Sequence, residues 1–333
     1  MVKLKDIAIK CNTSTATVSK ALHDSPELSQ ATIDTIKKVA KEMGYVPNFY
    51  AMALKSKKTY NIGIVYYDAT LYGSLRHEYF SSILEAIKQT AEAAGYCITF
   101  LSRNSKMSYL ELAKYRNMDG VIVVTEDFNN PQVIELVNST IPTVTIDYIF
   151  SSATAIMSDN IEGEEKLVDY VAAMGHKRIA FIHGENTDVT RKRLSGFSQG
   201  MIKNGIEIRP EYIIEGIFHD PKASGRATKA LLQLDPRPTC IFYPDDIYLF
   251  GGITALNQYG LKIPDDISVV GYDGASITRV YRPTITTYVQ NSDELGKQAA
   301  ECLINQIDDH YFPITPHYVT GHVQEGETVK KIN

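Results

Sequence analysis

Hydrophobic positions change their period along this chain, and each change marks a new element. Leu4, Ile7, Ala8 and Cys11 recur at i, i+3, i+4 and i+7, the inner stripe of a short helix. Asn12 follows at a tight turn, where a left-handed backbone is needed and Asn tolerates it better than most residues. A second helix starts after Ser14, a capping residue. Val18, Ala21 and Leu22 face inward, while Thr15, Ala16, Thr17, Ser19 and Lys20 face outward. A third runs from a Ser29 cap through Ile33, Ile36, Ala40 and Met43 to Gly44. This spacing predicts a helix-turn-helix whose second helix fits a major groove. Phe49 to Leu54 is apolar-rich but too short to be a stable helix alone.

From Tyr60 the pattern shifts to short β-branched runs alternating with helical segments, which predicts parallel sheets covered by helices on both faces. The strands are 61–67, 96–101, 120–124 and 142–147, then 178–183, 212–218, 240–243 and 268–272. Helices 80–94 and 161–174 stop at Gly95 and Gly175. Two similar lobes result. The run 285–289 comes after the second lobe is complete, with an amphipathic helix 292–307 behind it, so it is expected to cross back and finish the first lobe. The expected division is 1–46 for the helix-turn-helix, 47–58 for a hinge helix and linker, 59–158 with 287–317 for the first lobe, and 159–286 with 318–333 for the second.

Charge separates these parts. Residues 1 to 58 hold ten Lys and no Arg against five acids, a balance of +5 in a chain of net −5, which leaves −10 on the rest. The basic end suits a polyanion and the acidic body does not. The cysteines Cys11, Cys97, Cys240 and Cys302 lack CxxC spacing and sit in apolar stretches, which predicts reduced core residues of a cytoplasmic protein. No charged-then-apolar leader opens the chain, and no run approaches the roughly 18 apolar residues that span a bilayer. No membrane association is expected.

Strand ends supply the candidate chemistry of the body. Asp147, Asp245 and Asp273 each end a strand and Arg193 opens the turn after another, so three carboxylates and a guanidinium are placed to converge outside the carboxyl ends of the sheets. Hydroxyl-rich ligands need such charge-assisted hydrogen bonds, plus rings against their C–H faces. With no Trp in the chain, Phe80, Phe218 or Tyr272 must provide the rings. An Asp at a strand end is as often a helix cap as a ligand contact.

Over almost the whole chain, at the amino end and in the body, the residues are similar to one family. Lys5-Asp6-Ile7-Ala8, Ala16-Thr17-Val18-Ser19-Lys20-Ala21-Leu22 and Gly44-Tyr45-Val46-Pro47-Asn48, with Met174-Gly175-His176-Lys177-Arg178-Ile179-Ala180-Phe181-Ile182, Arg193-Leu194-Ser195-Gly196-Phe197 and Ile267-Ser268-Val269-Val270-Gly271-Tyr272-Asp273, resemble the lactose-repressor/galactose-repressor (LacI/GalR) transcriptional regulators. The resemblance implies an α/β protein: a three-helix headpiece and hinge helix, then a two-lobed periplasmic-binding-protein-like core of doubly wound parallel sheets. It implies a homodimer on a near-palindromic operator. Thr15, Ala16 and Lys20 would read bases, Ser14, Thr17, Ser19 and Asn48 would touch phosphates, and Ala51 and Leu54 would lie in a hinge helix with Leu54 wedged into the minor groove. Lys20 departs from the commoner Arg, which grips guanine through two bonds where Lys offers a point charge. Asp147, Arg193, Asp245 and Asp273, with Phe80 and Phe218, would hold a small effector, and Asp245 stands where sugar-responsive members often carry Asn. The tail 321–333 lacks the leucine heptad of tetrameric members.

The expected function is therefore a repressor of carbohydrate-utilisation genes released from its operator by a sugar. The alternative is a regulator that takes a purine or sugar phosphate as co-repressor. A sugar-binding protein without a DNA role would have no use for the helix-turn-helix. An enzyme of the kinase or dehydrogenase classes would need a GxGxxG or GxxxxGK loop, and the sequence has neither. His77, His176, His183 and His219 lack metal spacing and read as surface or capping residues, so no catalytic residue, cofactor or metal is expected.

Overall fold

The computed structural model describes residues 2–45, 58–67, 75–103, 106–309 and 311–332. The chain divides into two units, 1–59 and 60–333. The first unit contains α1 (Leu4–Lys10), α2 (Thr15–Leu22) and α3 (Gln30–Glu42). Asn12 does adopt a left-handed backbone, φ +48°, and turns the chain between α1 and α2. The Ser14 Oγ accepts from the Thr17 N–H at 3.0 Å, and the Ser29 Oγ accepts from the Thr32 N–H at 3.3 Å, so each hydroxyl satisfies a donor that its helix leaves open. Ile7, Ala8, Val18, Ala21, Ile33, Ile36 and Ala40 form the core. Gly44 closes α3 at φ +67°.

The second unit holds two six-stranded sheets. One is parallel throughout, in the order β2 (Cys97–Phe100), β1 (Asn61–Tyr66), β3 (Gly120–Thr125), β4 (Thr143–Ile146), β5 (Thr154–Ser158) and β11 (Pro316–Val319), reading from one edge to the other. The other runs β7 (Ile213–Glu215), β6 (Ile179–His183), β8 (Cys240–Phe242), β9 (Ser268–Asp273), β10 (Thr286–Val289) and β12 (His322–Gln324), with only β12 antiparallel.

Alternation along each strand feeds two cores per lobe. Ile122 and Val124 of β3 pack with α4 (Glu78–Ala93) and α12 (Ser292–Asp308) through Ile83, Ile87, Leu295 and Leu303. Val121 and Val123 turn the other way, onto α5 (Tyr109–Tyr115) and α6 (Pro131–Val137). In the second lobe Ile241 packs with α9 (Pro221–Leu232) and α10 (Asp246–Gln258), and Phe242 with α7 (Asn160–Ala173) and α8 (Asp188–Lys203).

The chain passes between lobes three times, after β5, after β10 and after β11. This corrects one expectation: the 285–289 strand pairs with β9 in the second sheet and does not finish the first lobe. Only α12 and β11 return, so the later crossings fall near 290 and 320 instead of at 287 and 317. A short apolar strand has the same pattern in either sheet, and partner choice is a long-range matter. The 212–218 strand is shorter than expected, three residues after a 3₁₀ turn at Pro210–Tyr212. Cys97 is exposed, contrary to its expected core position; all four cysteines are free. Among the described residues no helix is long and apolar enough to cross a membrane.

Candidate functional site

In the first unit the outward face of α2 is polar and accessible. Ser14, Thr15, Ala16 and Lys20 are exposed, and Thr17 and Ser19 are half-buried. The Thr17 hydroxyl pairs with that of Ser14 at 2.9 Å, and the Ser19 carbonyl is bonded to His23 Nδ1 at 2.6 Å. Lys20 is ion-paired with Glu27, so its ammonium is held beside a carboxylate. Asn48, Ala51 and Leu54 lie outside the described residues.

In the second unit the carboxyl ends of both sheets open onto an interlobe cavity of about 480 Å³. It is lined by all six expected residues, Phe80, Asp147, Arg193, Phe218, Asp245 and Asp273. Its size is that of a small-molecule site. A wider cleft of about 1100 Å³ lies against two of the crossovers, but Arg193, Phe80, Phe128, Tyr148 and Phe218 do not line it.

The backbone is strained where the cavity's side chains enter it. Asp147 (φ +56°), His219 (φ +60°) and Asp273 (φ +106°) all take positive φ without being glycine. Such strain persists only where surrounding bonds over-determine it, and it gathers at functional sites. Those bonds are visible here. Asp147 Oδ1 accepts from the Ser158 N–H at 2.7 Å and its Oδ2 from the Tyr79 hydroxyl at 2.8 Å. Asp273 Oδ1 accepts from Gln290 Nε2 at 2.7 Å.

Arg193 is the centre of the arrangement. It lies on α8, 6% exposed, with its guanidinium carbon 3.6 Å from the centroid of the Tyr272 ring. Nε donates to Asn160 Oδ1 at 2.8 Å and Nη1 to the Pro244 carbonyl at 2.7 Å. Nη2 stands 3.9 Å from Asp273 Oδ1 and makes no hydrogen bond among the described residues. A fixed cation with donor capacity left over, next to a carboxylate whose second oxygen is unoccupied, matches a ligand that both donates and accepts. Tyr272 is fully buried beneath the guanidinium and is not itself a cavity wall, which corrects its expected role.

The carboxyls differ in how far the protein satisfies them. Burial pushes the Asp273 carboxyl up to about 7, against the pull of Arg193. Burial also raises Asp147, which its hydrogen bonds to Ser158 and Tyr79 only partly offset. At Asp245 burial acts in the same direction, but His219 and the backbone donors outweigh it and its pKa is lowered. Asp245 caps α10 by accepting from the Tyr248 N–H at 2.6 Å, and its other oxygen accepts from the His219 N–H at 2.9 Å. At 1% exposure it acts as a helix cap and loop staple, leaving Asp273 as the carboxylate with capacity for a ligand.

Aromatic rings complete the walls. Phe218 is fixed over Gly184, where a Cβ would lie 2.0 Å from its ring, so only glycine leaves it room. Phe80 meets Tyr66 edge-on and Tyr79 at 5.2 Å. Phe128 and Tyr148 are stacked at 4.6 Å, and both line the cavity. The sequence reading missed Tyr79, Phe128, Tyr148 and Gln290. Tyr79 adjoins Phe80, so its neighbour was a signal; the other three sit in loops or at a crossover, with no periodic pattern to mark them. Nor are His77 and His176 surface residues: both are buried, and His176 ties Thr239 (2.8 Å) to the Lys330 carbonyl (3.0 Å), fastening the carboxy-terminal tail.

Residues 3–48 match the family described as bacterial regulatory proteins, lacI family, and residues 168–329 match the periplasmic binding protein-like domain. The chain belongs to the LacI family. Over 317 residues, 93% of each chain, it is 29% identical to the HTH-type transcriptional repressor PurR of Pasteurella multocida. It is 28% identical over 323 residues to the HTH-type transcriptional repressor CytR of Escherichia coli K12, covering 92% of this chain and 90% of that one. Among solved structures, the lac repressor dimer bound to operator and the anti-inducer ONPF superposes with a TM-score of 0.82 at 24% identity over 99% of both chains. The transcriptional regulator CelR in complex with cellobiose gives 0.72 at 23% identity, covering 98% of this chain and all of that one. This LacI-family chain is a DNA-binding transcriptional repressor with an effector-binding core.

Proposed function

We propose that this regulator binds its operator as a homodimer and is released by a small uncharged polyhydroxy ligand, a sugar, held in the interlobe cavity. The observation that carries the reading is the pair of Arg193 and Asp273: a buried guanidinium with a spare donor, 3.9 Å from a carboxylate with a spare oxygen. A sugar hydroxyl between them accepts from one and donates to the other. Phe80, Phe218 and the stacked Phe128–Tyr148 pair supply apolar faces for its C–H groups. Structural relatives described with cellobiose and with ribose support the ligand class.

Glu126, Asp127, Asp147, Glu185 and Asp188 also line the cavity, which disfavours an anionic sugar phosphate. A planar purine is the second reading, favoured by the number of aromatic walls. On DNA, Thr15, Ala16 and Lys20 are proposed to read bases, with Ser14, Thr17, Ser19 and Asn48 on phosphates and Ala51 and Leu54 in a hinge helix. The regulated genes are proposed to serve carbohydrate use in the cytoplasm, and no catalytic step is assigned. The test is a thermal-shift screen of neutral sugars, sugar phosphates and purines, with each hit added to operator binding by the full chain. A neutral sugar that stabilises the protein and weakens operator binding supports the reading; stabilisation by purines alone overturns it in favour of the second.

A further inference from the structure

Three consecutive residues, His77 to Tyr79, connect the lobes at the start of α4. Glu78, in the first lobe, accepts three hydrogen bonds from Ser276, in the second. The Ser276 N–H lies 3.0 and 2.9 Å from the two carboxylate oxygens, and its hydroxyl lies 2.9 Å from Oε2. Ser276 immediately precedes α11 (Ile277–Val280). One residue earlier, the His77 ring meets the ring of His219, in the second lobe, with centroids 4.2 Å apart. One residue later, the Tyr79 hydroxyl holds Asp147 inside the cavity. A single turn thus touches the opposite lobe twice and the ligand site once.

Glu78 and Ser276 do not line the 480 Å³ cavity, while Tyr79, Asp273 and Gln290 line both it and the wider cleft beside Glu78. The contact between Glu78 and Ser276 therefore acts on lobe closure without touching a bound molecule. We propose that Glu78 is a positioning residue for the allosteric response, clasping Ser276 so that the two lobes stay closed over the cavity before any ligand arrives. A ligand contacted by both lobes binds the closed form, so its apparent dissociation constant is the intrinsic value divided by the closed fraction. The clasp sets that fraction from outside the ligand's own contacts. This consequence rests on the interlobe cavity being the effector site; the clasp itself does not.

Both partners are exposed, so solvent screens the bonds, and the effect is a shift in a balance of lobe positions and not a loss of fold. The test reads lobe separation in the full chain without ligand or DNA. Nitroxides are placed at Tyr115→Cys and Ile202→Cys, two exposed positions on different lobes, in a background of Cys11→Ser and Cys97→Ser. Glu78→Ala is expected to lower the ratio of closed to open distances by roughly tenfold. Ser276→Ala, which keeps the N–H donor, should lower it less. Glu78→Gln keeps an acceptor for the Ser276 N–H and gains a donor for its hydroxyl, and it should restore the wild-type distribution. A wild-type distribution in Glu78→Ala overturns the proposal, and so does an equal opening in Glu78→Ala and Glu78→Gln. Because no ligand enters the measurement, failure to find a sugar effector would leave this result intact.

Discussion

The two units of this regulator treat polar side chains in opposite ways. On α2 of the headpiece, Ser14, Thr15 and Lys20 are exposed over a core of seven aliphatic side chains from three short helices. In the core unit, Arg193, Asp245 and Asp246 are each at most 6% exposed and bonded to groups distant in the chain. A surface that reads DNA needs side chains able to leave water for phosphates and base edges, so it keeps them outside, held only by exposed local bonds such as the Lys20–Glu27 pair. A ligand site needs its groups fixed beforehand, because each polar atom left unmatched in a closed cavity is costly. The headpiece thus rests on one small apolar core, whereas the second unit holds a few fixed buried charges among four larger apolar cores.

Substitution should expose this contrast most strongly at the sensor's centre. Arg193→Ala removes the partner of Asn160 and of the Pro244 carbonyl, and leaves Asp273 and Glu164 without their nearby cation. It should destabilise the core by about 3–5 kcal/mol in urea unfolding while the headpiece keeps its own stability. Ile36→Ala reverses the pattern. It opens a cavity in the headpiece core at a cost of about 2–5 kcal/mol, enough to unfold so small a unit, and the core transition should not move. A single transition shifted equally by both substitutions would show that the units do not differ in this way.

The sensor should also respond to pH. Glu164, buried on α7, has its carboxyl pushed by burial from 4.5 up to about 8. The unfolded chain releases that proton near 4.5 and the folded core near 8. Between these values the folded state holds a proton that the unfolded state lacks. This contribution is complete below 4.5 and is lost as pH rises through 8. Urea midpoints of the core should therefore fall across that window, and Glu164→Gln should flatten the profile. At the headpiece, Lys20→Ala should weaken operator binding by about 1–3 kcal/mol and relax preference at one symmetric base position. An equal loss on every operator variant would make Lys20 a phosphate contact, held ready by Glu27.

Local chemistry was legible in the sequence to the extent that it is written in neighbouring residues. The Asn12 turn, the Ser14 and Ser29 caps and the Gly44 stop are one-residue signals and appear where they were expected. Strands such as 120–125 follow from their apolar runs. The placement of 286–289 in the second sheet does not, because its choice of β9 depends on a partner that the run itself does not encode. β5, β11 and β12 are short and follow loops, and their composition gave no strand signal. At the site, strand-end position located Asp147, Asp245 and Asp273, whereas Arg193 reaches the same cavity from within α8 and not from the opening of a turn. That position did not distinguish the three carboxylates. The bonds that occupy Asp245 and leave Asp273 with a free oxygen come from His219, Tyr248 and Gln290, residues brought there by the fold.

The most direct test of the account measures operator affinity of the full chain by fluorescence anisotropy, with and without a neutral sugar selected by thermal shift, in the wild type and in Asp273→Ala. The account predicts that the sugar weakens operator binding by the wild type, and that operator weakens sugar binding by the same factor, as linkage requires. Asp273→Ala should bind the operator with wild-type affinity and ignore the sugar. A sugar response of wild-type size in Asp273→Ala would place the effector elsewhere and contradict the account.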